Sequence, residues 1–287
     1  MEEQRAIAQS VPAKPAFIAS PVGRMKKRSF EWMSVVPFIA FFILWEIFSR
    51  TNESMSFFNP IFLPAPSEIA RDGWELAKTG LIMDSIVSST RRIVAGFIVG
   101  TAAAIALGVL MSRFKYLEMC VSPILNLTGP IPALALLPLF IIWFGIGEFP
   151  KVLLIAWTTF VPMLVYTMDG LRSVNSLLIR SATSLGASQR QIFTRVILPS
   201  AIPNILVGAQ IGLGLAFSSL IVSEMMGAPN GLGYIIVDAR NYFKISNMFV
   251  AIVLIGLEYS LFSYFLKLIE RRVMSWRKGG IREALEK

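Results

Sequence analysis

From Ile93 to Ser112 the chain runs for twenty residues without a charged side chain, and five further stretches approach the same pattern. Twenty helical residues span about 30 Å, the thickness of the hydrocarbon core of a bilayer. Nothing else in the sequence constrains the fold as much. In lipid every backbone N–H and C=O must be paired within the chain, so only helices and closed barrels can cross. Barrel strands need about ten alternating residues, and these runs are longer and unalternating. The spans are read at residues 33–49, 93–112, within 119–147, 152–168, within 196–223, and 245–266. The expected fold class is an all-α polytopic membrane protein with six transmembrane helices.

Charge supports this reading and adds an orientation. Only 16% of the chain is charged, against about 25% in soluble domains. The formal net charge is +9. With the N-terminus inside, 19 of the 27 Lys and Arg residues fall on the inner side. That is the bias expected of cytoplasmic loops. The basic excess is thus explained by topology, with no nucleic-acid partner, and both termini are expected to be cytoplasmic. Trp32 and Trp45 frame the first span at interfacial depth.

There is no histidine, which removes the commonest general base and metal ligand. The one cysteine, Cys120, sits in an apolar run and excludes an intrachain disulfide. No catalytic residues, metal site or cofactor are expected. Residues 1–31, with Pro12, Pro15, Pro21 and the Lys26-Lys27-Arg28 cluster, read as a flexible cytoplasmic tail and not as a cleaved signal. Residues 32–275 form the transmembrane domain, including a long inner loop at 171–199, and residues 276–287 form a second cytoplasmic tail.

The spans differ in kind. Gly96, Gly100, Ala104 and Gly108 recur every fourth position in the second span, and Gly208, Gly212 and Ala216 do so in the fifth. Small residues at that spacing let helix backbones approach closely in lipid. They serve plain packing or packing that slides during a cycle. The third span carries Pro130, Pro132 and Pro138, which would free the carbonyls of Asn126, Thr128 and Leu134. Freed carbonyls are tolerated only against protein or water, so this span lines the interior or is a kinked packing helix. Asn126, Thr128, Pro130 and Pro132 are the candidate pathway residues. Between the first two spans, Ser67 is placed as the N-cap of a short helix whose face is Ile69, Gly73, Leu76 and Ala77. Arg91, Arg92 and Glu224 lie at the outer ends of the second and fifth spans. They either anchor and pair there, or the arginines favour an anion at the entrance. Glu258 is an intramembrane charge, read as pairing with a cation or a backbone amide, or as a proton relay, for which the chain offers no histidine partner.

The inner loop is ordered by its sequence. Leu177, Leu178, Ser181 and Leu185, then Ile192, Phe193 and Val196, suggest two short helices. Gly186 between them permits a sharp turn, Ser188 and Gln191 have capping-box spacing, and Pro199 marks the entry to the fifth span. Ser181-Ala182, then Gly186, then nine residues and Val196-Ile-Leu-Pro199 resemble the cytoplasmic coupling signature of permease subunits of bacterial ABC importers. That signature begins Glu-Ala-Ala, where this chain has Arg180, Ser181 and Ala182. Gly186, Ala187, Leu198 and Pro199 are the firm matches. Phe62-Leu-Pro-Ala-Pro-Ser67, Leu136-Leu-Pro-Leu, Trp143-Phe-Gly-Ile-Gly-Glu148, Ser223-Glu-Met and Gly231-Leu-Gly-Tyr234 look like the nitrate, sulfonate, taurine and bicarbonate branch of that family.

The resemblance implies a type I ABC importer permease fold in a bacterial inner membrane. It also implies a second permease copy, two ATP-binding subunits that hold ATP and Mg, and an extracytoplasmic solute-binding protein. Arg180, Ser181, Ala182, Leu185, Gly186, Ala187, Ser188, Leu198 and Pro199 would then couple to the ATPase. The chain has no Gly-x-x-x-x-Gly-Lys-[Ser/Thr] loop of its own. The expected cargo is a small oxoanion or sulfonate, with a pyrimidine-type vitamin precursor as the alternative. An ATP-independent channel or secondary carrier is a further reading, but the proline pattern of the third span has no counterpart in the other half.

Overall fold

The computed structural model describes residues 27–275, and every regular element among them is helical. The tail expected at 276–287, and that at 1–31 up to residue 26, lie outside the described residues. Contacts divide the chain into two units, one ending at Phe48 and the other beginning at Ser49.

Helix α1, Lys27–Met55, starts six residues before the expected span and ends six after it. Phe38, Leu44 and Ile47 on it are each more than half exposed, as suits a helix bathed in lipid. From Ser49 on, the chain is pinned locally. The Asn52 amide donates to the Phe58 carbonyl and accepts from the Phe58 N–H, and the Ser49 hydroxyl donates to the Leu63 carbonyl. Helix α2, Pro66–Lys78, is capped at Ala65, not at Ser67. Pro66 supplies the fixed φ that suits a first helical position, so the helix begins before Ser67. Glu68 accepts from the Ala65 N–H, and Ser67 instead accepts from Arg50.

Helix α3, Leu81–Arg113, begins after left-handed Gly80 and is twelve residues longer at its start than expected. Arg91 and Arg92 are therefore within it. The expected third span is two helices, α4 (Lys115–Thr128) and α5 (Ala133–Phe144), bent by 106°. Pro130 and Pro132 each lack a donor, and Pro132 is extended, so a continuous helix cannot pass. The Thr128 carbonyl is not freed, because the Ile131 N–H donates to it. Then come α6 (Glu148–Arg172), α7 (Ser176–Ser184), the short α8 (Gln189–Ile192), a π turn at Phe193–Ile197, α9 (Leu198–Gly227), α10 (Leu232–Asn241) and α11 (Ile245–Val273). Among the described residues five helices are long and apolar enough to cross a membrane, and the bent α4–α5 pair makes a sixth if it is one span.

Helix α6 is the centre of the bundle and packs along both α3 and α9. The glycine stripes face it. A Cβ on Gly96 would lie 2.5 Å from Ile155, on Gly100 2.4 Å from the Ala156 carbonyl oxygen, and on Gly108 2.7 Å from Thr167. From α9, a Cβ on Gly208 would lie 2.7 Å from Tyr166, while Gly212 has ordinary 3.4 Å contact with Thr159. Between these contacts Ile93, Ile155, Leu213, Ala216, Phe217 and Leu220 form one core cluster, and Ala104, Met111, Met163, Leu164, Met168 and Ala209 a second. Dispersion from such close packing, and not expulsion of water, holds helices together in lipid. Helix α10, not foreseen from the sequence as a helix, packs on α9 and α11, while α2 lies on α11 with Gly73 against Val250.

Candidate functional site

The chain carries three constellations that bear on function. The first is the α7–α8 turn. Asn175 caps α7 by accepting from the Leu177 N–H. Its far end closes with the Ala187 N–H on the Ala182 carbonyl and the Gly186 N–H on the Thr183 carbonyl. That pair of bonds demands a left-handed residue at Gly186, whose φ is +77°. Ser188 then caps α8 reciprocally with Gln191. The result is a rigid helical hairpin that offers outward what a loop would normally hide: Leu177 is 65% exposed and Leu185 87%. Arg180, Ser181 and Ser188 are exposed beside them, with Ala182 and Ala187 half-buried. Leu198 and Pro199 are also half-buried and open α9. Pro199 has no N–H for the Arg195 carbonyl, which accounts for the π turn just before it. The hairpin is thereby joined without a break to the bundle's longest helical run, Gln189–Gly227.

The second constellation is an ion network at the opposite end of α9. Arg92 and Glu224 come together there, buried at 4% and 1% exposure. All five guanidinium N–H donors of Arg92 are engaged. Nε and Nη2 grip the Glu148 carboxylate at 2.6 and 2.8 Å, Nη1 donates to Glu224 at 2.8 Å and to the Asn230 carbonyl, and Nη2 also reaches the Asn230 side chain. Lys151, also buried, donates to Glu148 at 3.2 Å. Glu224 accepts in addition from the Ser89 hydroxyl and from the Gly233 N–H, and Ser89 accepts from the Leu232 N–H. The start of α10 thus presents the Gly233 amide to the carboxylate directly and the Leu232 amide to it by way of Ser89, where partial positive charge favours an anion. Gly231 and Gly233 make that approach feasible, since a Cβ on either would lie 2.4 and 2.8 Å from Glu224. Two cations and two carboxylates share the site, so their charges cancel. Breaking such a buried set by removing one partner costs about 3–5 kcal/mol.

The third is a cavity of about 460 Å³ lined by Pro130, Ile131 and Pro132 at the α4–α5 break, by Trp157, Thr158 and Pro162 of α6, and by Ser218 and Ser219 of α9. Thr158 and Ser219 hydrogen-bond across it at 2.8 Å. Of the pathway candidates, Pro130 and Pro132 line this cavity. Asn126 is exposed elsewhere on α4, and the Thr128 hydroxyl donates back to Ile124. Arg91, next to Arg92, is exposed. Glu258 is buried, and its partner is neither a cation nor an amide but the Thr90 hydroxyl at 2.8 Å.

Sequence reasoning missed Glu148, Lys151, Ser89 and Asn230 as members of one site. Arg92 meets Glu224 across 132 residues, a juxtaposition no local pattern encodes. The sequence signals were the motifs Trp143–Glu148, Ser223-Glu-Met and Gly231–Tyr234, with the glycine pairs Gly145 and Gly147 before Glu148 and Gly231 and Gly233 beside the start of α10.

Residues 93–275 match the family described as binding-protein-dependent transport system inner membrane component. The chain is 33% identical over 254 residues to the putative aliphatic sulfonates transport permease protein SsuC of Bacillus subtilis, covering 88% of this chain and 91% of that one. It is 34% identical over 231 residues to the taurine transport system permease protein TauC of Escherichia coli, covering 79% and 84%. It is 31% identical over 257 residues to the formylaminopyrimidine transport permease protein ThiX of Halalkalibacterium halodurans, covering 88% and 99%. Among solved structures, an amino acid ABC transporter with histidines superposes at a TM-score of 0.59 and 20% identity over 69% of this chain and 96% of that one, a likeness of fold.

Proposed function

We propose, from the premise that this chain belongs to the family of binding-protein-dependent transport system inner membrane components, that it is the permease of an importer of small sulfonates such as taurine. Its place in the ABC importer permeases of the sulfonate and taurine type is given by its relatives. The cargo, the coupling and the orientation are the proposal. Both termini face the cytoplasm, so the α7–α8 hairpin is cytoplasmic and the Arg92 network lies at the outer end. The hairpin docks on a separate ATP-binding subunit, one for each of two permease copies, and an extracytoplasmic binding protein delivers the solute.

The observation that carries the reading is the hairpin itself. Short, capped at both ends and crowned by exposed leucines, it is a rigid knob, and it is continuous with α9, which packs along α6 and reaches the ion network. Force applied to it is passed on as movement of a helix, not absorbed in a loop. ATP binding would then bias a two-state rocking of the bundle. Substrate would cross by way of the α4–α5 cavity, whose walls come from three helices that such rocking shifts.

The test is uptake into proteoliposomes containing the permease, its ATP-binding subunit and its binding protein. Radiolabelled taurine is expected inside only with lumenal ATP on the hairpin side. Uptake without ATP would mean a carrier or channel. The similarity to ThiX makes formylaminopyrimidine the competing cargo, and uptake of it in preference to taurine would replace the sulfonate assignment.

A further inference from the structure

Within the ion network one carboxylate differs from the other. Glu224 is fully buried and anchored from four directions by Ser89, Arg92, the Gly233 amide and the close pack of Gly231. Glu148 has a side chain 60% exposed, yet its oxygens occupy the fork edge of a guanidinium that is only 4% exposed, with the equally buried Lys151 ammonium alongside. It is the first residue of α6 and follows Gly145-Ile146-Gly147, where Gly145 has a φ of +81° and nothing surrounds either glycine within 4 Å of a Cβ position. The segment carrying Glu148 is therefore the permissive part of the site, and the cations are the fixed part.

If Glu148 swings out, Arg92 stays held by Glu224 and Asn230 through Nη1 and one Nη2 hydrogen. What opens is the Nε–Nη2 edge and the Lys151 ammonium: three convergent donors, a local charge of +1, and the N-terminus of α6. A bidentate fork of that kind suits a planar carboxylate or the two nearest oxygens of a sulfonate. We infer that Arg92 and Lys151 form an anion site for a sulfonate group, which the chain's own Glu148 fills in this conformation as an internal stand-in. The site stands on this geometry, while its assignment to sulfonates rests on the proposed function. Incoming anion and Glu148 compete for it, so the site is vacated when the solute moves on, and Glu148 reseals the network behind it.

The experiment uses the full chain in nanodiscs, with methanesulfonate as the probe and chloride at equal ionic strength as the control. In Glu148→Ala, methanesulfonate at ten times its dissociation constant is expected to raise the melting temperature by about 3 °C or more. The wild type should not respond, because Glu148 holds the site, and Arg92→Gln with Glu148→Ala should lose the response. No rise in Glu148→Ala, or an equal rise in the wild type or the double variant, overturns the inference. If Glu148→Ala does not purify, Glu148→Gln, which keeps the shape and loses the charge, carries the same expectation. Taurine uptake by the wild-type transporter separates the two claims. Uptake without a methanesulfonate response in the variant removes the site and leaves the function standing. A response without taurine uptake removes the cargo assignment and leaves an anion site.

Discussion

Gly100→Ala adds one methyl group where α3 crosses α6, and its cost can be worked out from the coordinates. The new Cβ would sit 2.4 Å from the Ala156 carbonyl oxygen and 2.9 Å from the Thr159 Cβ. Ordinary contact begins at 3.4 Å, so the helices must separate locally by about 1 Å. The obstructing oxygen is backbone, so no rotamer change can absorb the clash. Overpacking of this kind costs about 1–3 kcal/mol, and the upper end is expected because separation also loosens the seats of Gly96 and Gly108. Alanine returns about 1 kcal/mol through helix propensity, leaving a net loss of about 2 kcal/mol. For a chain of this size that lowers the melting temperature by roughly 4–8 °C. The assay is thermal unfolding of the purified chain, followed by size exclusion and by copurification with its partners. Gly256→Ala is the control, since nothing lies within 4 Å of its Cβ position, and it should match or slightly exceed the wild type. If Gly100→Ala melts with Gly256→Ala and assembles equally well, close α3–α6 packing is not what holds the bundle.

Gly212→Ala should be nearly neutral in the same assay, because its nearest neighbour is already at 3.4 Å, although its place in the small-residue pattern equals that of Gly208. Gly231→Ala meets the Glu224 carboxyl at 2.4 Å with φ at +123°, so it should dislodge Glu224 from the α10 amides and lower stability by about 3 kcal/mol or more; a wild-type melting temperature would contradict the network. Gly186→Val strains a left-handed position by about 1–2 kcal/mol but meets nothing within 4 Å, so insertion should be normal while uptake and binding-protein-stimulated ATP hydrolysis fall at least tenfold; normal coupling would show that the hairpin is not the transmission. Single cysteines at positions 20 and 280, placed in a Cys120→Ser background, should resist an impermeant reagent applied to intact cells, and labelling of either would overturn the six-span topology with both termini inside.

The sequence alone carried the architecture and much of the hairpin, for a physical reason. A bilayer imposes one length and one composition on anything that crosses it, so the uncharged run 93–112 and the run 245–266, with Glu258 its single charge, declared themselves. Turn chemistry is equally local: Gly186, Ser188 and Gln191 act on neighbours within a few residues, and the capped hairpin could be read from their spacing. Even so, local rules left the third span as either an interior-lining helix or a kinked packing helix, and the tertiary structure made it two helices bent by 106° with Pro132 extended. They put Ser67 at a cap that Pro66 displaced to Ala65. They ranked Gly208 and Gly212 as equals, though only the partner helix decides which one has no room. The ion network lay furthest from view. Arg92 and Glu224 read from the sequence as side chains that anchor or pair at the outer ends of their spans, and nothing local joined Glu148, Lys151 or Asn230 to them. Their meaning depends on α3, α6, α9 and the start of α10 meeting at one end of the bundle. The energy of a buried charge is set by what surrounds it in space, and that only the packed tertiary structure supplies.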